Sequence, residues 1–151
     1  MKKKKIIFIA AAVMAAAMIY AYTEYNRGVK DLAHVDAKEN ITSTDLMQQF
    51  RKDELIANEK FLGKVVEVQG FIRDVEIDDK GYLTVVLGDS TDAMSGVRCA
   101  MDSSHKLTGQ ELVKGMVVSI KGNFTGYQAD ETGLPGTDAH LNRCVINTDN
   151  Y

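Results

Sequence analysis

Residues 64–72, KVVEVQGFI, decide how this chain folds. Val66, Val68, Gly70 and Ile72 share one side of an extended chain, while Glu67 and Gln69 take the other. A period of two marks a half-buried strand, because successive strand side chains point to opposite faces. Immediately upstream the period is helical. Leu46, Phe50, Ala57 and Phe61 fall near one face of a helix, with Met47 beside them. Ser43 or Thr44 is placed to cap its start, Asp45 faces the positive end of its dipole, and Gly63 supplies the stop. Lys64 therefore opens the β-rich part of the chain.

Four more strands follow. Tyr82 to Leu87 repeats the alternation, with Leu83, Val85 and Leu87 on a common face, and Asp78-Asp79-Lys80-Gly81 ahead of it has hairpin chemistry. Val97, Cys99 and Met101 make a third strand, Met116, Val118 and Ile120 a fourth, and Leu141 to Ile146 a fifth. Thr108-Gly109-Gln110-Glu111 has capping-box spacing and predicts a short helix ending near Gly115. A polar loop, Gly126 to His140, holds the single proline, Pro135. The reading is mainly β: five strands, a preceding helix and a short helix between strands three and four. That is the order of an OB-fold, a five-stranded Greek-key barrel, although a small sandwich would use similar strands. Gly70 and Gly122 stand late in strands one and four, where a small barrel bends.

Toward the N-terminus the chemistry changes. Lys2 to Lys5 run into the charge-free stretch Ile6 to Thr23. Basic residues collect on the cytoplasmic flank of membrane segments, so residues 1–5 predict a cytoplasmic flank and 6–22 a transmembrane helix with the N-terminus inside. Seventeen residues are at the short end of what crosses a hydrocarbon core, and Tyr20, Tyr22 and Tyr25 cluster at the far interface. Ala15-Ala16-Ala17 and Ile19-Tyr20-Ala21 offer signal-peptidase cleavage as the other outcome. No cysteine closes the apolar run, so lipoprotein processing is not expected. Residues 23–41 read as a tether and 42–151 as the OB domain, displayed on the periplasmic, extracytoplasmic side. The net charge of -3 hides that domain's sign. Without the four leading lysines, 14 Lys and Arg face 21 Asp and Glu, a balance of -7. Nucleic-acid binders carry a basic stripe, so this balance disfavours a polyanionic partner.

An ordered set of short motifs now stands out: Phe50, Asp53-Glu54, Ala57-Asn58, Lys60-Phe61, Gly63-Lys64 and Val68-Gln69-Gly70. Gly96-Val97-Arg98-Cys99, Lys114-Gly115, Lys121-Gly122, Thr125-Gly126-Tyr127 and Leu141-Asn142-Arg143-Cys144 continue it. From Thr42 to Asn147 the chain resembles the tRNA-anticodon-binding-like (tRNA_anti-like) OB-fold family of small exported bacterial proteins. The resemblance implies the fold; the family's name reflects that fold and not a ligand. Members often carry a cysteine in the turn of strand four, where this chain has Phe124.

Cys99 and Cys144 are the only cysteines, and an exported domain keeps disulfides. Strands three and five of an OB barrel are neighbours, so a Cys99–Cys144 bridge is expected, with two buried free thiols as the alternative. A zinc site from Cys99, His105, His140 and Cys144 is not expected, since residues four apart on one strand stand about 13 Å apart. Asp102-Ser103-Ser104-His105 reads as a polar turn, not as a nucleophile and its base. Acidic loops at 73–80 and 126–140 read as solvated charge rather than a Ca²⁺ site. No catalytic residue, metal or cofactor is therefore expected. Gln69, Tyr82, Arg98, Tyr127 and Arg143 form the expected ligand face, the two tyrosines being the stacking candidates. The expectation is a non-enzymatic, membrane-anchored binding or protein-interaction module of the cell envelope, engaging an envelope protein or a small ligand. A single-stranded nucleic-acid-binding OB domain is the alternative.

Overall fold

The computed structural model describes residues 13–22, 31–104, 112–129 and 136–147. The chain divides into two units, Met1–Lys30 and Asp31–Tyr151. In the first, residues 13–22 form a helix (α1) whose side chains are exposed. Among the described residues no helix is long and apolar enough to cross a membrane; residues 6–12 of the expected span lie outside them.

The second unit carries six strands: β1 (Glu39–Thr42), β2 (Val65–Ile77), β3 (Leu83–Gly88), β4 (Gly96–Met101), β5 (Val117–Ala129) and β6 (Thr137–Ile146). They hydrogen-bond in the order β1-β2-β3-β4-β6-β5, and β5 returns to pair with β2. Strands β2 to β6 therefore close a five-stranded barrel of OB type, with β4 and β6 parallel and the remaining barrel pairs antiparallel. Closure leaves these five without a free edge for stray pairing. Strand β2 serves both sides: Val65 to Phe71 pair with β5, and Ile72 to Ile77 pair with β3 across a register shift.

Alternation fills the interior. Val66, Val68 and Ile72 from β2 meet Val85 and Leu87, Val97 and Cys99, Val118, Ile120 and Phe124, and Leu141 and Cys144, all essentially inaccessible. The expected Greek-key core is thus present. The predicted helix between strands three and four falls mostly on residues 105–111, outside the described residues.

Two parts differ from the expectation. The single helix is two, α2 (Ser43–Lys52) and α3 (Glu54–Phe61). Thr42, not Ser43 or Thr44, caps α2 by accepting the Asp45 N–H at 3.1 Å. Asp53 makes the break. Its N–H still donates to Gln49 O at 3.1 Å, while its Oδ1 accepts the Ile56 N–H at 3.1 Å and starts the next helix. Arg51 and Lys52 close α2 and Glu54 opens α3, so each helix end has the charge its dipole favours. The apolar stripe survives the break because Leu46, Met47, Phe50, Ala57 and Phe61 are all buried. The second difference lies in the expected tether, whose later part holds a 3-10 helix, Leu32–His34, and β1. Glu39 to Thr42 pair in parallel with Val66 to Gln69. Four residues are too few to show a period.

Candidate functional site

An open groove of about 940 Å³ runs beside β1, between α2 and the outer face of β2 and β5. Glu39 to Thr42 line it along their whole length. Gln69 and Ser119, paired across β2 and β5, contribute the sheet face, and Asp45, Gln48, Gln49 and Lys52 the helix wall. The side-chain groups are mainly amides, hydroxyls and charges. Glu67 is held in place, since its Oε1 accepts from Ser119 Oγ at 2.6 Å and from Asn147 Nδ2 at 2.9 Å. Lys60 reaches Gln49 Oε1 at 3.3 Å and Glu39 at 3.5 Å.

Arg51 is anchored from below. Its guanidinium meets the buried Asp89 carboxylate at 2.8 Å, and Asp89 Oδ1 also accepts from the Thr91 N–H and hydroxyl at 2.9 and 2.8 Å. Burial alone would raise the Asp89 pKa, but the Thr91 hydrogen bonds and Arg51 outweigh it and hold the carboxyl below its ordinary value. A lowered carboxyl stabilises the fold above its unfolded pKa and ceases to do so as the pH falls through the folded value. Domain stability is therefore expected to drop as the pH passes below about 4. Asp89→Asn is expected to cost about 1–2 kcal/mol at neutral pH and to blunt that acid sensitivity. The figure sits below the range for fully buried pairs because Arg51 is 34% exposed. Chemical denaturation of both proteins from pH 3 to pH 7 checks it; parallel pH profiles would remove Asp89 from the account.

Of the expected ligand-face residues, the groove contains Gln69 alone. Tyr82 stands at the β2–β3 hairpin tip, 56% exposed, where Asp78 Oδ1 accepts its N–H and that of Lys80. Arg98 sits on the outer face of β4, engaged by Glu76 and, at 3.7 Å, by Asp138. Among the described residues Asp138 Oδ1 is buried without a hydrogen-bond partner, and with Glu76 and Asp138 beside it Arg98 has acidic surroundings. Tyr127 stacks its ring on Phe50, centroids 4.6 Å apart, and donates its hydroxyl to Thr137 Oγ1 at 2.8 Å. That ring belongs to the packing. Arg143 lies at a positive φ of 57° and reaches Asp102 at 3.8 Å.

Cys99 and Cys144 are both buried and free, and the Cys99 thiol donates to Val97 O at 3.9 Å. His140, in register with Arg98 on β6, takes the outer face, between the inward Ala139 and Leu141. Asp102 Oδ1 accepts from the Ser104 N–H and hydroxyl at 2.9 and 2.7 Å, which makes residues 102–104 a turn. His105 and the acidic Asp130 and Glu131 lie outside the described residues. The groove residues that the sequence reading passed over include Asn40, Gln48, Gln49 and Lys52. For the three helix residues the signal was the polar face of α2, opposite Leu46 and Phe50, but nothing local shows what that face looks onto; Asn40 lies on β1, which is too short to show a period.

A family-wide profile described as tRNA_anti-like matches residues 1–135. The chain belongs to the tRNA_anti-like family. The match starts at residue 1 and so takes in the lysine-led leader as well as the barrel through β5. No curated relative matches the chain. Among solved structures, one from Klebsiella pneumoniae subsp. pneumoniae MGH 78578, described as a "putative nucleic acid-binding lipoprotein", is similar at 22% identity. The match covers 71% of this chain and 90% of that one with a TM-score of 0.53. At that identity the likeness supports the shared fold.

Proposed function

We propose that this chain is a membrane-anchored, extracytoplasmic OB-fold module that binds rather than catalyses, and that it takes its partner in the polar groove beside β1. The observation that carries the reading is the groove itself, with the exposed amides of Asn40, Gln48 and Gln69 around about 940 Å³ of open space. Such amides each offer a donor and an acceptor to an incoming ligand. The family profile's inclusion of the leader, and the word lipoprotein in the neighbour's description, support the envelope setting. The partner is an envelope protein or a small ligand.

The neighbour's description supplies the second reading, a single-stranded nucleic-acid binder. The charge balance of -7 from Thr23 onward opposes it, as do the ion-paired Arg98 and the packed Tyr127. Photo-crosslinking in living cells, with the reactive residue replacing Gln69, tests the proposal. A discrete adduct with an envelope protein or small ligand is expected. Nucleic-acid adducts from position 82 with none from position 69 would replace the first reading by the second.

A further inference from the structure

Resting on the groove as the binding site, we infer that its ligand is an extended peptide segment, which adds as a strand to the free edge of β1. Strand β1 pairs with β2 on one side and, among the described residues, with no strand on the other. In a parallel ladder alternate residues turn their N–H and C=O groups to the same neighbour, so half of the β1 backbone groups face away from β2. A barrel strand cannot offer this, since each already has two neighbours. The groove follows β1 from Glu39 to Thr42, so the open edge and the open space coincide.

The lining favours a peptide over other polymers. Among the described residues that line it none is aromatic, so they offer no platform for a base or a sugar ring. Its charges, Glu39, Asp45 and Glu67 against Arg51, Lys52 and Lys60, balance in number, which suits a neutral backbone and not a phosphate chain. The exposed amides of Gln48 on the helix and Gln69 on the sheet can bond peptide groups or polar side chains from the two walls. Main-chain bonds to β1 would supply affinity, and the two walls would read alternate side chains.

A displayed library of unstructured peptides of about 12 residues provides the probe, panned against the full chain in detergent. Enriched peptides are expected to bind with micromolar dissociation constants and to weaken about tenfold against Gln69→Arg, an exposed position whose change leaves the core intact. Single N-methylation along a bound peptide should abolish binding at every second position. The amides of residues 39–42 should also exchange more slowly in the complex. Peptides that bind without this period of two, or without protecting β1, would overturn strand addition. Failure of any peptide to enrich, alongside neutral oligosaccharides that bind wild type but not Gln69→Arg, would overturn the peptide while keeping the groove. Loss of every groove-dependent ligand would overturn both readings.

Discussion

Phe50→Ala is expected to lower the stability of the domain by about 3–5 kcal/mol, the range for removing a fully buried aromatic ring. Phe50 is only 2% exposed and sits among three other rings. Its centroid is 4.6 Å from Tyr127, 5.2 Å from Phe124 and 6.0 Å from Phe61, and Phe61 and Phe124 are themselves 6.1 Å apart. The cluster joins α2 and α3 to β5, so truncation opens a cavity where the helices meet the barrel. Aromatic contacts of this geometry add about 0.5–1.5 kcal/mol beyond burial. Thermal and denaturant melts should show the midpoint falling by about 10–20 °C. The groove should suffer as well, because Asp45, Gln48, Gln49 and Lys52 lie on the helix that Phe50 anchors. A change below about 1 kcal/mol would mean that the helices are not held to the barrel by this ring.

Protein recovered from an oxidising compartment is expected to carry a Cys99–Cys144 disulfide, and reducing it should cost about 3–4 kcal/mol. The bridge would close a loop of 44 intervening residues, which sets that magnitude in the chain-entropy account. Strands β4 and β6 lie side by side, with Met101 opposite Cys144 and Cys99 opposite Leu141. Gly122 on β5 leaves room for the sulfurs, since a Cβ there would stand 2.5 Å from Cys144 Sγ. Burial, aided by the Cys99 thiol, pushes the Cys144 thiol well above its ordinary pKa, so in the folded chain Cys144 is a poor nucleophile. Oxidation is therefore expected during folding, with two thiols losing two protons and two electrons to a disulfide-bearing oxidant as the strands meet. Intact mass should be lower by two hydrogens, and melts with reductant should move down. Alkylation of both cysteines in unreduced, denatured protein would refute the bridge.

Local regularity explains how much of this fold was legible. The barrel strands around Val66 and Val68, Val85 and Leu87, Val97 and Cys99, and Val118 and Ile120 alternate over enough residues to declare an inward face. The helix stripe was equally plain, and its division was not, because Asp53 interrupts the backbone without disturbing the spacing of Phe50, Ala57 and Phe61. Strand β5 runs on to Ala129 and β6 begins at Thr137, so the polar stretch expected between them is shorter than its composition suggested. Among the expected site residues, Gln69 lines the groove, whereas Tyr127 spends its ring on Phe50 and Arg98 its charge on Glu76 and Asp138. A sequence cannot distinguish a tyrosine offered to a ligand from one packed against a phenylalanine 77 residues away.

The sequence by itself determined the barrel's strands and their inward faces, because hydrophobic spacing and turn chemistry act over a few neighbouring residues and are written directly in the chain; their closure into a barrel rather than a sandwich rests on the β2–β5 and β4–β6 pairings. It determined the acidic balance for the same reason. Only the tertiary structure decided where the groove proposed as the binding site lies. Strand β1 exists because β2 offers it an edge, and the groove exists because α2 turns away from that edge after Thr42. Each depends on residues brought together from distant parts of the chain, so no local pattern carries them.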